Sequence, residues 1–356
     1  MKVHLYTYEL PFRAPITLAG RSYAGRRGLL LQLSSGPREG WGEAAPLPGF
    51  SRESEADARD QLLGLLPGLR SLDPRPALLE KRSTLPNELN VRSLLPSVRN
   101  AIEGAILWWL MADTERLAGR ALKKEVEVNA LLVVSDNLEG TLQELRRDGY
   151  QAIKMKVGRR SVAEDLRRLR QVAAEIERGV KIRLDANRAW SWDQSVSFLK
   201  RIPDGLPLDY IEEPLRNPDE LERLRQVTGA PIALDETLRE LKEDDLAGYS
   251  WVDAWICKPM LDGGPSGFFA VERAAEKSDA QVILSSAFDS GVGMRNLLML
   301  AGLARHPAPM GLDTYERIKY DVLEEPLPYA GARVDLTSPS FRRPTIFQKH
   351  LQRISE

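Results

Sequence analysis

The sequence predicts an α/β protein built on a parallel barrel, with a smaller α+β domain before it. Eight short β-branched or apolar runs recur from about residue 125 onward, with starts roughly 20 to 30 residues apart. The segments between them carry helical patterns that end in glycine, such as VAEDLRRLRQVAAEIERG and DELERLRQVTG. Strand and helix repeated to eight strands are typical of a TIM-like barrel with its helices outside. The eight runs are VEVNALLVV, QAIKMKV, KIRLDA, LDYIEE, PIALDE, VDAWICK, QVILSSA and PMGLDT.

The main alternative for such a pattern is a doubly wound open sheet. That fold usually carries a G-x-G-x-x-G motif directly after its first strand, and no such motif follows the first run here. We therefore expect the closed barrel.

The first hundred residues show a different pattern. MKVHLYTYEL and RGLLLQLS alternate as strands do, and a helix is expected to start near Ser51 and run through ESEADARDQLLGLL. The segment SVRNAIEGAILWWLMADTERLAG has apolar residues at helical spacing and leads into the first barrel strand. The sequence therefore predicts an α+β domain over residues 1–100 and a barrel over residues 101–324.

Composition excludes several classes of partner. The 356 residues carry a net charge of −1, which gives no general attraction for nucleic acid or anionic lipid. The N-terminus lacks the apolar core of a signal peptide, and the longest apolar run, AILWWLMA, is far shorter than the ~20 residues of a membrane span. We expect a cytoplasmic protein that acts on a small molecule and binds neither nucleic acid nor membrane. The oligomeric state has no signal in the sequence.

Ionisable side chains end five successive strands of the predicted barrel. Residues i and i+2 of a strand share a face, so Lys154 and Lys156 point the same way, as do Asp185 and Asn187. Barrel active sites form at these C-terminal strand ends, and strands 2 and 6 lie on opposite sides of the barrel mouth. We therefore expect lysines to face each other across a floor of carboxylates. In chain order the groups are Lys154 and Lys156, Asp185, Glu212 or Glu213, Asp235 or Glu236, and Lys258.

Such a floor of carboxylates indicates a metal ion. Carboxylates brought together repel one another unless a cation is present. The chain has one cysteine, Cys257, and three histidines, His4, His306 and His350, so oxygen ligands and Mg²⁺ or Mn²⁺ are favoured over zinc. A substrate carboxylate bound to that metal would have a more acidic α-proton, because the enediolate formed by its removal is stabilised electrostatically. A neutral lysine such as Lys156 could remove that proton.

The motifs KMK, RLDAN, IEEP, ALDE and ICKP on consecutive strands resemble the enolase superfamily, specifically its muconate-lactonizing subgroup. The resemblance implies a modified (β/α)7β barrel and a capping domain that the C-terminal segment, about residues 325–356, completes. It implies one Mg²⁺ held by Asp185, Glu212 and Asp235. By the same resemblance Lys156 is the base, with Lys154 beside it and Lys258 opposite. The supporting residues are Asn187, Glu213 and Glu236.

Further stretches are similar to the o-succinylbenzoate synthase family within that subgroup: APLPGFSRES, RLDANRAW, LSSAFDSGVG and GLDT. This similarity implies a dehydratase that converts 2-succinyl-6-hydroxy-2,4-cyclohexadiene-1-carboxylate to 2-succinylbenzoate in menaquinone biosynthesis. An N-acylamino acid racemase or dipeptide epimerase is the alternative on the same scaffold. A barrel that binds carboxylates without catalysis is an alternative of another class, against which the intact lysine pair argues.

Substrate contacts are expected from the cap and from the seventh strand. In the cap, Pro48, Gly49 and Phe50 of PLPGF are predicted to form a pocket wall. Ser285 and Ser286 after the seventh strand are predicted to hydrogen bond the succinyl chain. The segment LAGRSYAG, residues 18–25, has two glycines that could act as hinges and an arginine, Arg21, that could meet a carboxylate. We expect this segment to be the lid.

Overall fold

A computed structural model of the chain describes residues 1–18, 20–80, 85, 89, 93–117, 119–132 and 137–355. The N-terminal sheet contains β1 (Lys2–Leu18), β2 (Arg21–Ser35) and β3 (Arg38–Ala44), all antiparallel. A fourth strand from the other end of the chain, β16 (Leu351–Arg353), pairs with β1. The two ends of the chain therefore share one sheet.

Three helices follow this sheet: α1 (Glu55–Arg70), α2 (Ala77–Glu80) and α3 (Pro96–Met111). Ser54 caps α1 by accepting from the backbone N–H of Asp57, whose side chain accepts from Ser54 in return. Almost every described side chain of α3 is buried, and the helix packs directly against β3. Gly42 permits this approach, because a Cβ there would lie 1.8 Å from the carbonyl oxygen of Ala101. The joining helix expected from the sequence thus fixes the N-terminal sheet against the barrel.

The barrel sheet contains seven parallel strands, each hydrogen bonded to the next along the chain. The strands are β7 (Ala130–Leu132), β8 (Ala152–Lys156), β9 (Lys181–Asp185), β10 (Leu208–Glu212), β11 (Ile232–Leu234), β12 (Ala254–Cys257) and β13 (Gln281–Leu284). The α-helices between and after them are α4 (Leu138–Arg147), α5 (Val162–Glu175), α6 (Trp192–Leu199), α7 (Leu221–Thr228), α8 (Pro259–Asp262), α9 (Gly264–Ala275), α10 (Gly291–Leu303) and α11 (Pro339–Arg342).

Short elements complete the described chain. The two-residue strands β4 (Arg116–Leu117) and β5 (Arg120–Ala121) pair with each other, and β14 (Tyr329–Ala330), β15 (Arg333–Asp335) and β6 (Glu125–Glu127) form a small antiparallel sheet. Within these elements and the rest of the described chain, no helix is long and apolar enough to cross a membrane. The 3₁₀ helices are Pro218–Glu220, Leu238–Glu240, Glu243–Gly248, Asp313–Arg317 and Gln348–His350.

The barrel closes differently from a regular eight-stranded one. The run PMGLDT, expected to be the eighth strand, forms only isolated bridges, from Met310 to Val128 and from Gly311 to Ser285. Proline has no backbone N–H, so Pro309 cannot donate to a strand ladder. Its carbonyl oxygen instead accepts a 2.5 Å hydrogen bond from Arg183 inside the barrel. The first run, VEVNALLVV, likewise divides into β6 and β7 in its described part. The α/β barrel with a capping domain is confirmed, with this irregular closure.

A buried arginine joins the closing segment to the barrel. The side chain of Arg183 is fully buried and bonds to Asp209 and to Asn129, each at 2.9 Å. Its charge is thus paired, and its donors reach the start of β10, the residue before β7 and the closing segment. A buried charge is tolerated only when it is paired in this way. This network joins β9 and β10, whose C-terminal ends carry residues of the candidate site, to Asn129 and Pro309.

Candidate active site

The charged residues of the candidate site lie side by side because of strand register. Lys156 at the end of β8 is paired with Asp185 at the end of β9, which is paired with Glu212 at the end of β10. Lys154 shares its face of β8 with Lys156, since side chains alternate along a strand. Asp235 follows the last residue of β11. Three carboxylates therefore end three neighbouring strands, with both lysines of β8 at one side.

Ion pairs join the lysines to this floor. Lys154 Nζ lies 2.7 Å from Asp185 Oδ2 and 2.6 Å from Glu212 Oε2, so it bridges two carboxylates. Lys156 Nζ lies 2.6 Å from the same Asp185 oxygen. On the far side, Lys258 at the end of β12 pairs with Asp235, which Arg239 also contacts at 2.8 Å. The opposing lysines expected from the sequence are thus brought together around one floor.

These pairs decide the charge state of the floor. Burial favours the neutral form of Asp185 and Asp235, but the adjacent cations outweigh burial and hold the pKa of both carboxyls below the usual range. Burial opposes a charged lysine as well, yet the carboxylates outweigh it and raise the pKa of Lys154 and Lys258. Both lysines are therefore fixed cations.

Glu212 is the exception among the three carboxyls. Burial, followed by repulsion from Asp185, raises the pKa of Glu212 to about 8, and the nearby Lys154 does not offset this. Its Oε1 atom is buried and has no hydrogen-bond partner in the part of the chain that the structure describes. Such an atom is rare in a folded protein, and a cation is a partner that a buried carboxylate oxygen can accept. Additional positive charge at the centre of the floor would therefore favour the ionised form of Glu212.

The donor set suits a hard divalent cation in kind, since it offers only carboxylate oxygens from adjacent strand ends. In the arrangement described, however, no three Asp, Glu, His or Cys side chains of residues 1–18, 20–80, 85, 89, 93–117, 119–132 and 137–355 converge closely enough to hold a metal ion. The bridging ammonium of Lys154 explains this separation, because it lies between Asp185 and Glu212. The residues therefore fit a divalent cation by the chemistry of their oxygen atoms.

Asn187 and Glu236 connect Lys156 of β8 to the turn that follows β11. Asn187 has a left-handed backbone with φ 44°, and its Oδ1 accepts a 2.6 Å hydrogen bond from Lys156. Its Nδ2 donates to Glu236 at 3.0 Å. A side chain that touches both neighbours fixes the direction of the lysine amine. Asn187 thus lies where the sequence places a supporting residue.

Glu213 supports the floor from behind. It also has a left-handed backbone, with φ 44°. Its carboxylate accepts hydrogen bonds from the backbone N–H of Asp235 at 3.1 Å and of Thr237 at 2.7 Å. Arg188 pairs with it at 3.1 Å. Of the two adjacent glutamates, Glu212 therefore faces the other carboxylates and Glu213 holds the turn that carries Asp235.

A cavity of about 590 Å³ lies above the floor, between the barrel and the N-terminal sheet. It is large enough for a drug-sized ligand. Of the expected substrate contacts, Phe50, Ser285 and Ser286 line it. Pro48 and Gly49 line an adjacent cavity of about 490 Å³ in the cap. The groups that line the main cavity include Thr17, Leu47, Phe50, Asn129, Leu131, Lys154, Lys156, Arg159, Asp185, Asn187, Lys258, Ser285, Ser286, Phe288, Asp313 and Thr314.

The hairpin that was expected to act as a lid joins β1 to β2. Arg21 begins β2 and its side chain is exposed, whereas Thr17 on the opposite strand lines the cavity. Ala19, in the same segment, lies outside the described residues. The hairpin thus reaches the cavity through Thr17, a residue that the sequence analysis had no reason to select.

Sequence reasoning gave no role to several charged residues that line the cavity, among them Asp313 and Arg159. Asp313 is the third residue of the GLDT motif, and its Oδ2 accepts a 2.7 Å hydrogen bond from the backbone N–H of Leu131. Burial raises its pKa to about 6. The rule that strand ends carry the site could have identified it. Arg159 stands three residues after Lys156, on the loop that leaves β8.

Comparisons with known sequences identify the family of the chain. Residues 137–339 match the family described as "Enolase C-terminal domain-like", and residues 1–73 match "MenC, N-terminal domain". The chain is 31% identical over 314 residues to an o-succinylbenzoate synthase of Citrobacter koseri, covering 87% of this chain and 89% of the relative. It is 29% identical over 329 residues to that of Pasteurella multocida, covering 90% and 91%.

Solved structures show the same fold at lower identity. An N-succinyl Arg/Lys racemase from Bacillus cereus superposes with a TM-score of 0.82 at 22% identity, over 99% of this chain and 98% of that one. The muconate lactonizing enzyme of Pseudomonas fluorescens, complexed with muconolactone, superposes with a TM-score of 0.81 at 18% identity, over 98% and 97%.

Proposed function

Because the chain belongs to the o-succinylbenzoate synthase family of the enolase superfamily and is a lyase of that family, we propose that it dehydrates 2-succinyl-6-hydroxy-2,4-cyclohexadiene-1-carboxylate to 2-succinylbenzoate. This step belongs to menaquinone biosynthesis. The observation that carries the proposal is the contact of Lys156 with both Asp185 and Asn187, at 2.6 Å each, at the edge of the cavity. An amine fixed in this way can reach a substrate bound above the floor.

Asp185, Glu212 and Asp235 are the residues that would hold Mg²⁺, or Mn²⁺ in its place. When bound, the ion supplies positive charge to the ring carboxylate of the substrate and so makes the adjacent proton more acidic. The orphaned Oε1 of Glu212 and its raised pKa of about 8 support this assignment, since both indicate a deficit of positive charge. Lys154 neutralises part of the floor and stays charged.

In its neutral form, Lys156 is proposed to remove that proton as the general base. A divalent cation held by Asp185 would replace the ammonium as partner of that carboxylate and so favour the neutral amine. Of the three lysines that line the cavity, Lys156 is the most exposed, with 32% of its side chain accessible to solvent against 15% for Lys154 and Lys258. Asn187 and Asp185 hold its amine in one direction. Protonated Lys156 then delivers its proton to the departing ring hydroxyl, which leaves as water. The electron pair of the broken C–H bond completes the aromatic ring, and this makes the elimination favourable.

Lys258 faces the same cavity from β12 and is proposed to stabilise the anion that forms when the proton leaves. Asp235 and Glu212 outweigh burial and raise its pKa, so its charged form is favoured. A cation over a delocalised ring is attracted to its face. Lys258 therefore acts by charge and transfers no proton in the dehydration.

A racemase or epimerase of N-acylated amino acids is the second candidate. The observation in its favour is that amines approach the cavity from both sides, Lys156 from β8 and Lys258 from β12. A two-base enzyme would exchange the α-proton from either face. Both activities are compatible with one constellation of residues, so one does not exclude the other.

The test is an assay of the purified chain with Mg²⁺ and the cyclohexadiene substrate, followed by the absorbance of the aromatic product. Appearance of 2-succinylbenzoate well above the rate without protein supports the proposal. In parallel, N-succinylamino acids are incubated with the chain in D₂O and their α-protons are followed by NMR. Exchange there without any dehydration would replace the proposed activity by the second candidate.

A further inference from the structure

The cavity has a basic wall that the dehydration chemistry does not use. Three arginines line it on the side of the loop between β8 and α5: Arg159 and Arg160 on the loop, and Arg168 on the helix. This wall lies directly after the strand that carries Lys154 and Lys156. A substrate held at the floor would therefore extend beside it.

The loop that carries this wall is fixed at both ends. Gly158 has φ +82°, and its backbone N–H donates a 2.7 Å hydrogen bond to the buried carboxylate of Asp165. A Cβ at Gly158 would lie 2.5 Å from the Cβ of Ala189, so only glycine fits. At the other end, Ser161 caps α5 by accepting from the N–H of Glu164. Arg159 and Arg160 are thus held between two anchored residues.

The charges of the wall do not balance. Arg160 pairs with Glu164 at 2.8 Å, and Arg168 approaches the same carboxylate at 3.8 Å. Asp165, the other acid of the wall, is bonded to the loop backbone. Arg159 has no ion pair or side-chain hydrogen bond with any residue in the described ranges of the chain. Three guanidinium groups against two carboxylates leave one positive charge, and it is on Arg159.

An unpaired guanidinium that lines a cavity suits an anionic group of a ligand. Its planar fork donates two parallel hydrogen bonds to a carboxylate, which a lysine amine cannot match. Arg168 adds to the same potential, because its Nε is buried and has no hydrogen-bond partner among the described residues. The cavity therefore offers an anion site at this wall, separate from the carboxylates of the floor.

We infer that Arg159 binds the second carboxylate of a dicarboxylate ligand, the one at the end of the succinyl chain, and so selects dicarboxylates over monocarboxylates. The inference rests on the proposed function, which supplies a substrate with one carboxylate on the ring and one on the chain. The ring carboxylate goes to the floor and the chain carboxylate to the arginine. Arg159 is then a determinant of specificity and takes no part in proton transfer.

The experiment measures binding to the Mg²⁺-loaded chain by titration calorimetry. The probes are 2-succinylbenzoate and 2-butanoylbenzoate, which lacks the terminal carboxylate. A charged hydrogen-bonded contact is worth roughly 1.5–3 kcal/mol, or about 10- to 150-fold in Kd. We expect the chain to prefer 2-succinylbenzoate by about that factor, and Arg159→Gln to lose the preference while its Kd for 2-butanoylbenzoate changes little.

Arg167→Gln is the matched control, because Arg167 is exposed on α5 and does not line the cavity. It should bind both probes as the unmodified chain does. Arg159→Lys keeps the charge without the fork and should recover part of the preference. An unchanged Kd of Arg159→Gln for 2-succinylbenzoate overturns the inference.

The inference and the proposed function fail separately. If the chain catalyses the dehydration but Arg159→Gln binds 2-succinylbenzoate as tightly as the unmodified chain does, only the inference is wrong. Arginine-dependent binding of 2-succinylbenzoate by a chain that does not dehydrate the cyclohexadiene removes only the proposed function. In that case Arg159 remains the group that recognises the chain carboxylate.

Discussion

Lys156 and Asp185 share a hydrogen bond of 2.6 Å across neighbouring strands, so the proposed base and a proposed metal ligand are in direct contact. The contact follows from register, since the two residues are paired in the sheet. It means that the charge of the floor and the direction of the amine cannot be altered independently.

A first prediction concerns that carboxylate. Asp185→Asn removes one negative charge from the floor and leaves both lysines of β8 with a weaker partner. We expect turnover to fall by about 10²-fold or more, because the transition state loses electrostatic stabilisation, whereas the melting temperature changes far less. Asp235→Asn should behave alike, and Asp193→Asn, on the exposed side of α6, is the control. Near-normal rates of either floor variant in the presence of EDTA would show that no metal acts there.

The two sides of the cavity should respond differently to substitution. Lys258→Arg keeps the cation that faces the developing anion, so we expect part of the dehydration activity to survive, while Lys258→Ala should lose more. Steady-state kinetics with the cyclohexadiene substrate measures both. If Lys258→Arg is inactive and Lys156→Ala is active, the roles of the two lysines are reversed.

The hairpin between β1 and β2 provides a third prediction. Thr17 lines the cavity from this hairpin, so shortening residues 18–25 should expose the site to water and raise KM or lower kcat. Affinity for Mg²⁺ should not change, because the proposed ligands all lie on the barrel. Kinetics and metal titration of the folded deletion variant test both parts. Unchanged kinetics would place the cover elsewhere, with the segment PLPGFS as the next region to alter.

A fourth prediction concerns pH and a carboxyl of the N-terminal sheet. Glu43 is fully buried on β3, accepts hydrogen bonds from Tyr8 and from the backbone of Ser290, and has its pKa raised to about 7 by burial and then by Asp289. A raised acid pKa means that the neutral form is favoured in the folded state. The stability it contributes is present below pH 4.5 and is lost as pH rises through about 7.

The free energy of unfolding should therefore fall less between pH 5 and pH 8 in Glu43→Gln than in the unmodified chain. The removed part is at most about 3 kcal/mol, since one pKa unit corresponds to about 1.4 kcal/mol. Urea unfolding at both pH values measures it. Glu39→Gln, on the same strand but partly exposed, serves as the control. An equal pH dependence in the unmodified chain and in Glu43→Gln contradicts the prediction.

Much of the fold follows from local rules. The rhythm of strand and helix predicts the barrel, and the period of two along a strand brings Lys154 and Lys156 to one face. PMGLDT is the counterexample, because it looks like a strand but contributes only bridges at Met310 and Gly311. The carbonyl oxygen of Pro309 accepts a hydrogen bond from Arg183 across the barrel. The sequence around Pro309 does not predict such a long-range contact.

The positions of candidate site residues at strand ends can be predicted from the sequence. The positions of residues in turns cannot, because they depend on the backbone conformation of the turn. Spacing alone leaves Glu212 and Glu213 equivalent. The structure distinguishes them by the left-handed backbone of Glu213, which directs that carboxylate to the N–H of Thr237. For a similar reason, the sequence does not show which residue of the hairpin between β1 and β2 lines the cavity. Arg21 has the chemistry expected of a contact, but the packing of β1 places Thr17 there instead.

The central claim is that Lys156 removes the proton that starts the dehydration, and the most direct test is the turnover of Lys156→Ala with the cyclohexadiene substrate and Mg²⁺. General base catalysis is worth roughly 10²–10⁴-fold, so we expect the variant to lose at least that much while 2-succinylbenzoate still binds. Turnover within a few-fold of the unmodified chain would contradict the account, because another group would then have to be the base.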